Sequence, residues 1–306
     1  MVFFLWKNQK YIGISIVTLL INISGGFMIE IKNLCKNYGD KEVIKNISLK
    51  IENGEVVSLL GNNGSGKTTT FKMIASLCEA SHGQILYNDE TIDHESVSYL
   101  PEERSLFLDC SVYDHLKLVA ELNKSVDIEN RINRQLEYFK IEKYRNEKIS
   151  NLSKGNQQKV ALAVCLIKNA PIVILDEPFT GLDSDNVGLF MQCIKALKYH
   201  GKTVLLSSHL YQPIASICDR FLYLYNGKIK YNITKKALFD DKRRIIETDQ
   251  DLSDQEGVIK KYCVNDKWRY VILSESIAQI IVCSLNCDYV YRKLTFEDIL
   301  YIGQDR

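Results

Sequence analysis

Apolar and polar residues alternate from Met28 through Ile31, the period of a strand with one buried face. Later the pattern changes to short unbroken apolar runs. One spans Glu55–Leu60, introduced by the turn Asn53-Gly54; others are Ile172–Leu175 and Thr203–Ser208, which delivers His209 at its end. All three read as buried strands, and the β-branched run Ile172–Leu175 suits the interior of a parallel sheet. Helical spacing over Lys67–Leu77 and the apolar stretch Val160–Ile167 predicts helices between them. Asn226-Gly227 predicts a hairpin turn, and Leu294–Leu300 an amphipathic helix. Together these predict an α/β chain: a mixed sheet core, an antiparallel β lobe (28–60 and 84–92), a helical subdomain at about 110–168 and a small α/β extension. The expected organisation is an apolar N-terminal segment at 1–27, one large domain at 28–235 and the extension at 236–306.

The N-terminal segment stands apart from this pattern. Lys7 and Lys10 precede an apolar run from Tyr11 to Ile23, and Ser24-Gly25-Gly26-Phe27 leads into Met28. The run is shorter than the ~20 residues of a usual spanning helix, so a short anchor or a signal peptide stays open. The favoured alternative is that translation starts at Met28, since Ser-Gly-Gly is what a purine-rich ribosome-binding site would encode. A native peptide from residues 1–27 in mass spectrometry would exclude that start.

Composition narrows the class. With 306 residues, 46% hydrophobic and 25% charged, the chain has ordinary globular makeup. Its 39 Lys and Arg nearly cancel 38 Asp and Glu, so it lacks the basic field expected of a nucleic-acid binder. Nine scattered cysteines without a CxxC pair disfavour a disulfide scaffold or a zinc site. Cys283 and Cys287 could share a helix face, with burial as small hydrophobes the expected role.

The chemistry begins where the run Glu55–Leu60 meets Gly61-Asn62-Asn63-Gly64-Ser65-Gly66-Lys67-Thr68-Thr69. This strand–loop–helix sequence is a phosphate-binding P-loop. Its glycines permit a tight loop with inward-pointing backbone N–H groups, and the helix that follows presents its positive end to phosphate. Lys67 is expected at the β- and γ-phosphates and Thr68 on Mg²⁺. The run Ile172–Leu175 ends in Asp176 and Glu177. Asp176 is expected to complete the Mg²⁺ site through water, and Glu177 to polarise an attacking water as general base.

What lies between and after these motifs resembles the ABC ATPase family. Leu152-Ser153-Lys154-Gly155-Asn156, followed by Gln157-Gln158-Lys159, is similar to that family's signature motif, with Lys154 in place of a glycine and Asn156 in place of a glutamine. Thr180-Gly181-Leu182-Asp183 resembles the D-loop, His209 the switch histidine, and Tyr38 the aromatic that stacks on adenine. Tyr99-Leu-Pro-Glu102-Glu103-Arg104 stands where the family has its Q-loop, with Glu102 replacing the usual glutamine; either side chain offers oxygen to Mg²⁺.

The resemblance covers about residues 28–232 and implies a P-loop NTPase fold that binds ATP and Mg²⁺ and hydrolyses ATP. It implies a homodimer or paired ATPase subunit, in which Ser153 to Asn156 face the ATP of the partner and Asp183 links the two sites. It also implies separate transmembrane permease subunits, because no run of 18 or more apolar residues occurs in the chain. The expected place is cytoplasmic, peripheral on the inner face of the membrane, with no nucleic-acid partner. The signature variant and Pro101-Glu-Glu-Arg104 look most like ABC-2-type exporters of drugs, ions or peptides. The rival is a non-transport ABC ATPase acting on ribosomes or DNA. Members of that kind usually duplicate the unit or insert a long coiled coil, and neither feature is present.

Overall fold

Ile29, Ile31 and Leu34 of β1 (Met28–Tyr38) and Ile44, Ile47 and Ile51 of β2 (Lys41–Glu52) are all buried on one side of an antiparallel pair. In the computed structural model, which describes residues 28–103, 105–209, 211–285 and 287–302, this pair forms one side of a four-stranded sheet, with β2 at its edge. Its other members are β4 (His82–Tyr87) and β5 (Glu90–Thr91), in the order β2-β1-β4-β5. The expectations for residues 1–27 and for Arg104 lie outside the described residues.

The expected lobe of 28–60 ends at Glu52. β3 (Val56–Leu60) belongs instead to the main sheet, because all five of its residues are buried and it has no polar face to turn to water. That sheet has six strands in the order β10-β9-β3-β8-β7-β6. The strands β6 (Val97–Leu100), β7 (Ile172–Leu175), β8 (Thr203–Leu206), β3 and β9 (Arg220–Tyr225) run parallel. β10 (Lys228–Thr234) returns antiparallel through the predicted Asn226-Gly227 turn. One face of this sheet packs towards the antiparallel lobe and Phe71, Met73 and Ile74 of α1 (Lys67–Ile74). Helix α1 stops three residues before the predicted Leu77, since Ser76 adopts a left-handed backbone.

The other face carries the helices. Ser111 caps α2 (Val112–Leu122) by accepting the Asp114 N–H, and α3 (Ile128–Phe139) buries Ile132, Leu136 and Phe139 at helical spacing. With α4 (Lys154–Ile167) they build the predicted helical region, which shares one core with α5 (Ser184–Tyr199) and α6 (Tyr211–Ile217).

After α7 (Lys235–Asp240), the strands β11 (Arg244–Thr248), β12 (Val258–Val264), β13 (Lys267–Ile272) and β14 (Tyr289–Lys293) form an antiparallel sheet in the order β12-β13-β11-β14. α8 (Glu275–Cys283) covers Ile246, Tyr270 and Ile272 on one face. α9 (Phe296–Ile302) lies on the other, and its Phe296 stacks on Phe221 of the main sheet at 5.1 Å. Cys283 and Cys287 do not share a helix face, because α8 ends at Cys283, and both are exposed rather than buried.

The start of α9 is a capping box. Asp298 accepts from the Thr295 N–H at 2.7 Å while Thr295 Oγ1 receives the Asp298 N–H at 3.4 Å. Asp298 is wholly buried and also accepts from Arg292 at 2.6 and 2.7 Å and from the Tyr262 hydroxyl. Burial alone would raise its pKa, but the Arg292 guanidinium and the Thr295 and Tyr262 hydroxyls outweigh that and hold it below the ordinary carboxylate value. A lowered carboxylate pKa gives stability that is present above the unfolded value and lost as pH falls through the folded one. Asp298→Asn should therefore cost about 3–5 kcal/mol, because it leaves Arg292 half-buried without its anion. Chemical denaturation at neutral pH measures that loss, and the gap between variant and parent should narrow on acidification.

Candidate functional site

The three parallel strands β3, β7 and β8 end side by side, and each delivers chemistry from its carboxyl end. β3 runs into the glycine loop. An added Cβ at Gly61 would come within 2.4 Å of the Leu224 carbonyl, and at Gly66, where φ is +107°, within 2.5 Å of Ile44. Only glycine fits these two positions, so the loop stays closed against β9 and β2. Lys67 is buried and donates to the Gly61 carbonyl at 2.8 Å and the Asn62 carbonyl at 3.4 Å. Gly66 caps α1 without a side-chain acceptor, and the buried Ser65 Oγ has no hydrogen-bond partner among the described residues. The loop thus offers free donors around a fixed ammonium group, the requirement of a bound phosphate chain.

β7 ends at Asp176 and Glu177. Asp176 is buried and accepts from Ser207 Oγ at 2.6 Å and from the Tyr99 hydroxyl at 3.4 Å. Ser207 follows β8 and in turn accepts the Glu177 N–H at 2.8 Å. This ties the two acidic residues to the end of β8. Glu177 has φ of +50°, a left-handed backbone that costs a β-carbon residue about 1–2 kcal/mol, so its orientation is held against local preference. His209 closes over it: the His209 N–H donates to Glu177 Oε2 at 3.3 Å, and Nε2 approaches Oε1 at 3.2 Å without the alignment of a hydrogen bond. Burial raises the Glu177 pKa above its ordinary 4.5, opposed by the nearby His209 and Lys67.

Lys67, Thr68, Thr69, Glu102, Glu177 and His209 line one cleft of about 540 Å³, together with Asn63, Gly64 and Gly66. Glu102, two residues beyond β6, lines the cleft with Glu177 and the loop. Asp176 lies one residue behind the cleft wall, its oxygens engaged by Ser207 and Tyr99. The hydroxyl of Thr68 and the carboxylates of Glu102 and Asp176 are hard oxygen donors, which fits Mg²⁺ in chemistry. Among the described residues no cluster of three or more His, Cys, Asp or Glu gathers to hold a metal, so a divalent ion here would need oxygens from its ligand and from water.

Tyr38 stands outside the cleft wall, half exposed, with Lys36 Nζ 5.0 Å from its ring centre and its hydroxyl 3.5 Å from Cys78 Sγ. Ser153 to Asn156 do not enter the cleft. Ser153 caps α4 by accepting the Asn156 N–H, and Gly155 faces the Asn186 amide so closely that a Cβ there would sit 3.2 Å from it. Asp183 caps α5 by accepting the backbone Asn186 N–H at 2.9 Å, and the Asn186 side-chain amide donates to Asp183 Oδ2 at 3.1 Å. These two motifs therefore meet each other, away from Lys67.

Sequence reading missed part of the cleft wall. Lys41, Glu42, Val43 and Lys45 of β2 line it beside Asn226 and Gly227. The Lys45 N–H donates to the Gly227 carbonyl at 2.8 Å, which brings a turn and a strand remote in sequence together. Nothing local in the residues of β2 announces this neighbour. Ser207 was likewise read as strand, although its hydroxyl bridges both acidic residues.

A family model described as ABC transporter matches residues 44–180. An uncharacterized ABC transporter ATP-binding protein of Methanocaldococcus jannaschii is 46% identical over 202 residues, covering 65% of this chain and 75% of the relative. The uncharacterized ABC transporter ATP-binding protein YhaQ of Bacillus subtilis is 33% identical over 282 residues, 89% of this chain and 95% of the relative, so the similarity continues into the C-terminal extension. A solved dimeric ATP-binding cassette in a post-hydrolysis state, bound to ADP and Pi, superposes with a TM-score of 0.62 at 25% identity over 68% of this chain and 98% of its own.

Proposed function

Because this chain belongs to the ABC transporter family of ATP-binding proteins, we propose that it hydrolyses ATP as one of a pair of subunits and drives a separate membrane permease. The observation that carries this reading is the meeting of Lys67, Thr68, Glu177 and His209 in one cleft at the carboxyl ends of parallel strands. The loop amides and Lys67 bind the phosphate chain, and Tyr38 offers its exposed ring to the base. Thr68, Glu102 and, through water, Asp176 would hold a Mg²⁺ ion, which when bound would neutralise charge that develops on the phosphates. Glu177 takes a proton from the attacking water, and His209 keeps its carboxylate turned to the γ-phosphate position.

Ser153 to Asn156 lie away from Lys67, and they complete the site only if a second subunit presents them across the cleft. Asp183, capping α5 against Asn186, joins that surface to the end of β7 and links the two sites. The dimeric cassette with ADP and Pi supports such pairing for this fold. Among the described residues no helix is long and apolar enough to cross a membrane, which leaves the pathway to a partner. We assign the direction as export and the cargo as a drug, ion or peptide, on the signature variant at Lys154 and Asn156 and the Pro101-Glu102-Glu103 segment. Affinity purification of the full chain from its own membranes tests this: a stoichiometric permease supports it, whereas ribosomes or DNA as the stable partner would replace it.

The raised pKa of Glu177 sets a pH dependence. A general base works only when deprotonated, so kcat should climb with pH through a window above the ordinary carboxylate value and level off beyond it. A pH–rate profile at saturating Mg·ATP checks this, with the rise absent in a variant that lacks the carboxylate.

A further inference from the structure

At the opposite end of β6 and β7 from the nucleotide cleft lies a second cavity of about 240 Å³. Its floor is Ser98 of β6 and Val173 of β7, which are register partners, with Cys193 of α5 behind them; all three are buried. The walls are apolar, from Leu166, Ala196 and Leu197. The rim is cationic: Arg134 of α3 and Lys202, the latter held by donating to the Asn169 and Ala170 carbonyls at 2.7 and 2.9 Å. Among the described residues no acidic side chain lines the cavity.

Two features of this bowl are unspent by the fold. Ser98 is 3% exposed, faces the cavity, and its hydroxyl has no hydrogen-bond partner among the described residues. A buried hydroxyl left unpaired costs stability, and such groups are few in folded proteins. Lys202 is half-buried and spends its hydrogen bonds on neutral carbonyls, so its charge is left for an anion from outside. Depth, apolar walls, a free hydroxyl and uncompensated positive charge describe a ligand with an apolar body and an anionic head.

We propose that this cavity binds a small organic carboxylate, its body between Leu166 and Leu197, its carboxylate at Arg134 and Lys202, and a hydrogen bond to Ser98. The volume is just below the roughly 300–1,000 Å³ of drug-sized pockets, which limits the ligand to a short chain or a single ring. The site is distinct from the nucleotide cleft and does not depend on the transport reading.

Calorimetry with the full chain tests the assignment, using phenylacetate and hexanoate against their uncharged amides. The acids should bind saturably and the amides should not. Arg134→Gln, on the exposed rim, should weaken the acids about tenfold through loss of a charge-assisted bond. Ser98→Ala should weaken them about fivefold without lowering the melting temperature, since it removes an unpaired group. ATP affinity should be unchanged in both variants. Absence of saturable binding by either acid, equal binding of acid and amide, displacement by ATP, or unaltered affinity in both variants overturns the proposal.

Discussion

Glu177→Gln is expected to bind ATP with the affinity of the parent, to lower kcat by about 10²–10⁴-fold, and to accumulate as an ATP-bound dimer. The amide keeps the size of the carboxylate and can still meet the His209 N–H, which now lies 3.3 Å from Oε2, so the cleft should hold its shape. What it loses is the ability to take a proton. Because burial already raises the carboxylate pKa, Glu177 is a stronger base than an exposed glutamate, and its removal costs correspondingly more. Binding then proceeds and closure follows, but hydrolysis no longer reopens the pair. Single-turnover phosphate release and size-exclusion chromatography with ATP measure the two effects. Unchanged turnover would remove Glu177 as the base and return attention to Glu102, the other carboxylate of the cleft.

Lys67→Ala is expected to weaken nucleotide binding by at least about a hundredfold and to abolish measurable turnover. Lys67 is buried among carbonyls that it satisfies only in part, 2.8 and 3.4 Å away, so most of its charge is directed at whatever anion enters the loop. Alanine removes the Lys67 donor from the Gly61 carbonyl, while the Asn62 carbonyl keeps the Ser65 N–H at 3.1 Å, and the glycines that close the loop are undisturbed. The fold should therefore persist, with an unaltered far-ultraviolet spectrum, while fluorescent nucleotide titration shows the loss. Retained activity would break the phosphate-site assignment altogether.

The two experiments separate binding from chemistry because the residues come from different strands, β3 and β7, that tertiary structure alone makes adjacent. Much of this was legible beforehand. The order of Gly61–Thr69, Asp176-Glu177 and His209, each after a buried apolar run, announced a parallel sheet with its ligands at the strand ends. The Asn226-Gly227 hairpin and the helical region before Ile167 followed from turn chemistry and periodicity. Thr295 and Asp298, three residues apart before an apolar helix, carried a legible capping box that was read only as amphipathic.

Other features left no local trace. The expected lobe took in β3 although its run reads as a buried strand, and its parallel pairing with β8 and β9 is what places it in the main sheet. Cys283 and Cys287 gave no sign that α8 would end between them. Lys41 to Lys45 entered the cleft through a contact with Gly227, and Ser207 became the link between Asp176 and Glu177 through hydrogen bonds across strands.

The sequence by itself determined the phosphate loop, the acidic pair and the parallel strands, since each rests on residues consecutive in the chain whose backbone and burial needs are local. Tertiary structure decided the rest: which strand neighbours which, where Ser153 to Asn156 stand relative to Lys67, and that Ser98 faces a cavity with an unpaired hydroxyl. Those depend on long-range packing and on the pairing of buried polar groups, which no stretch of residues specifies alone.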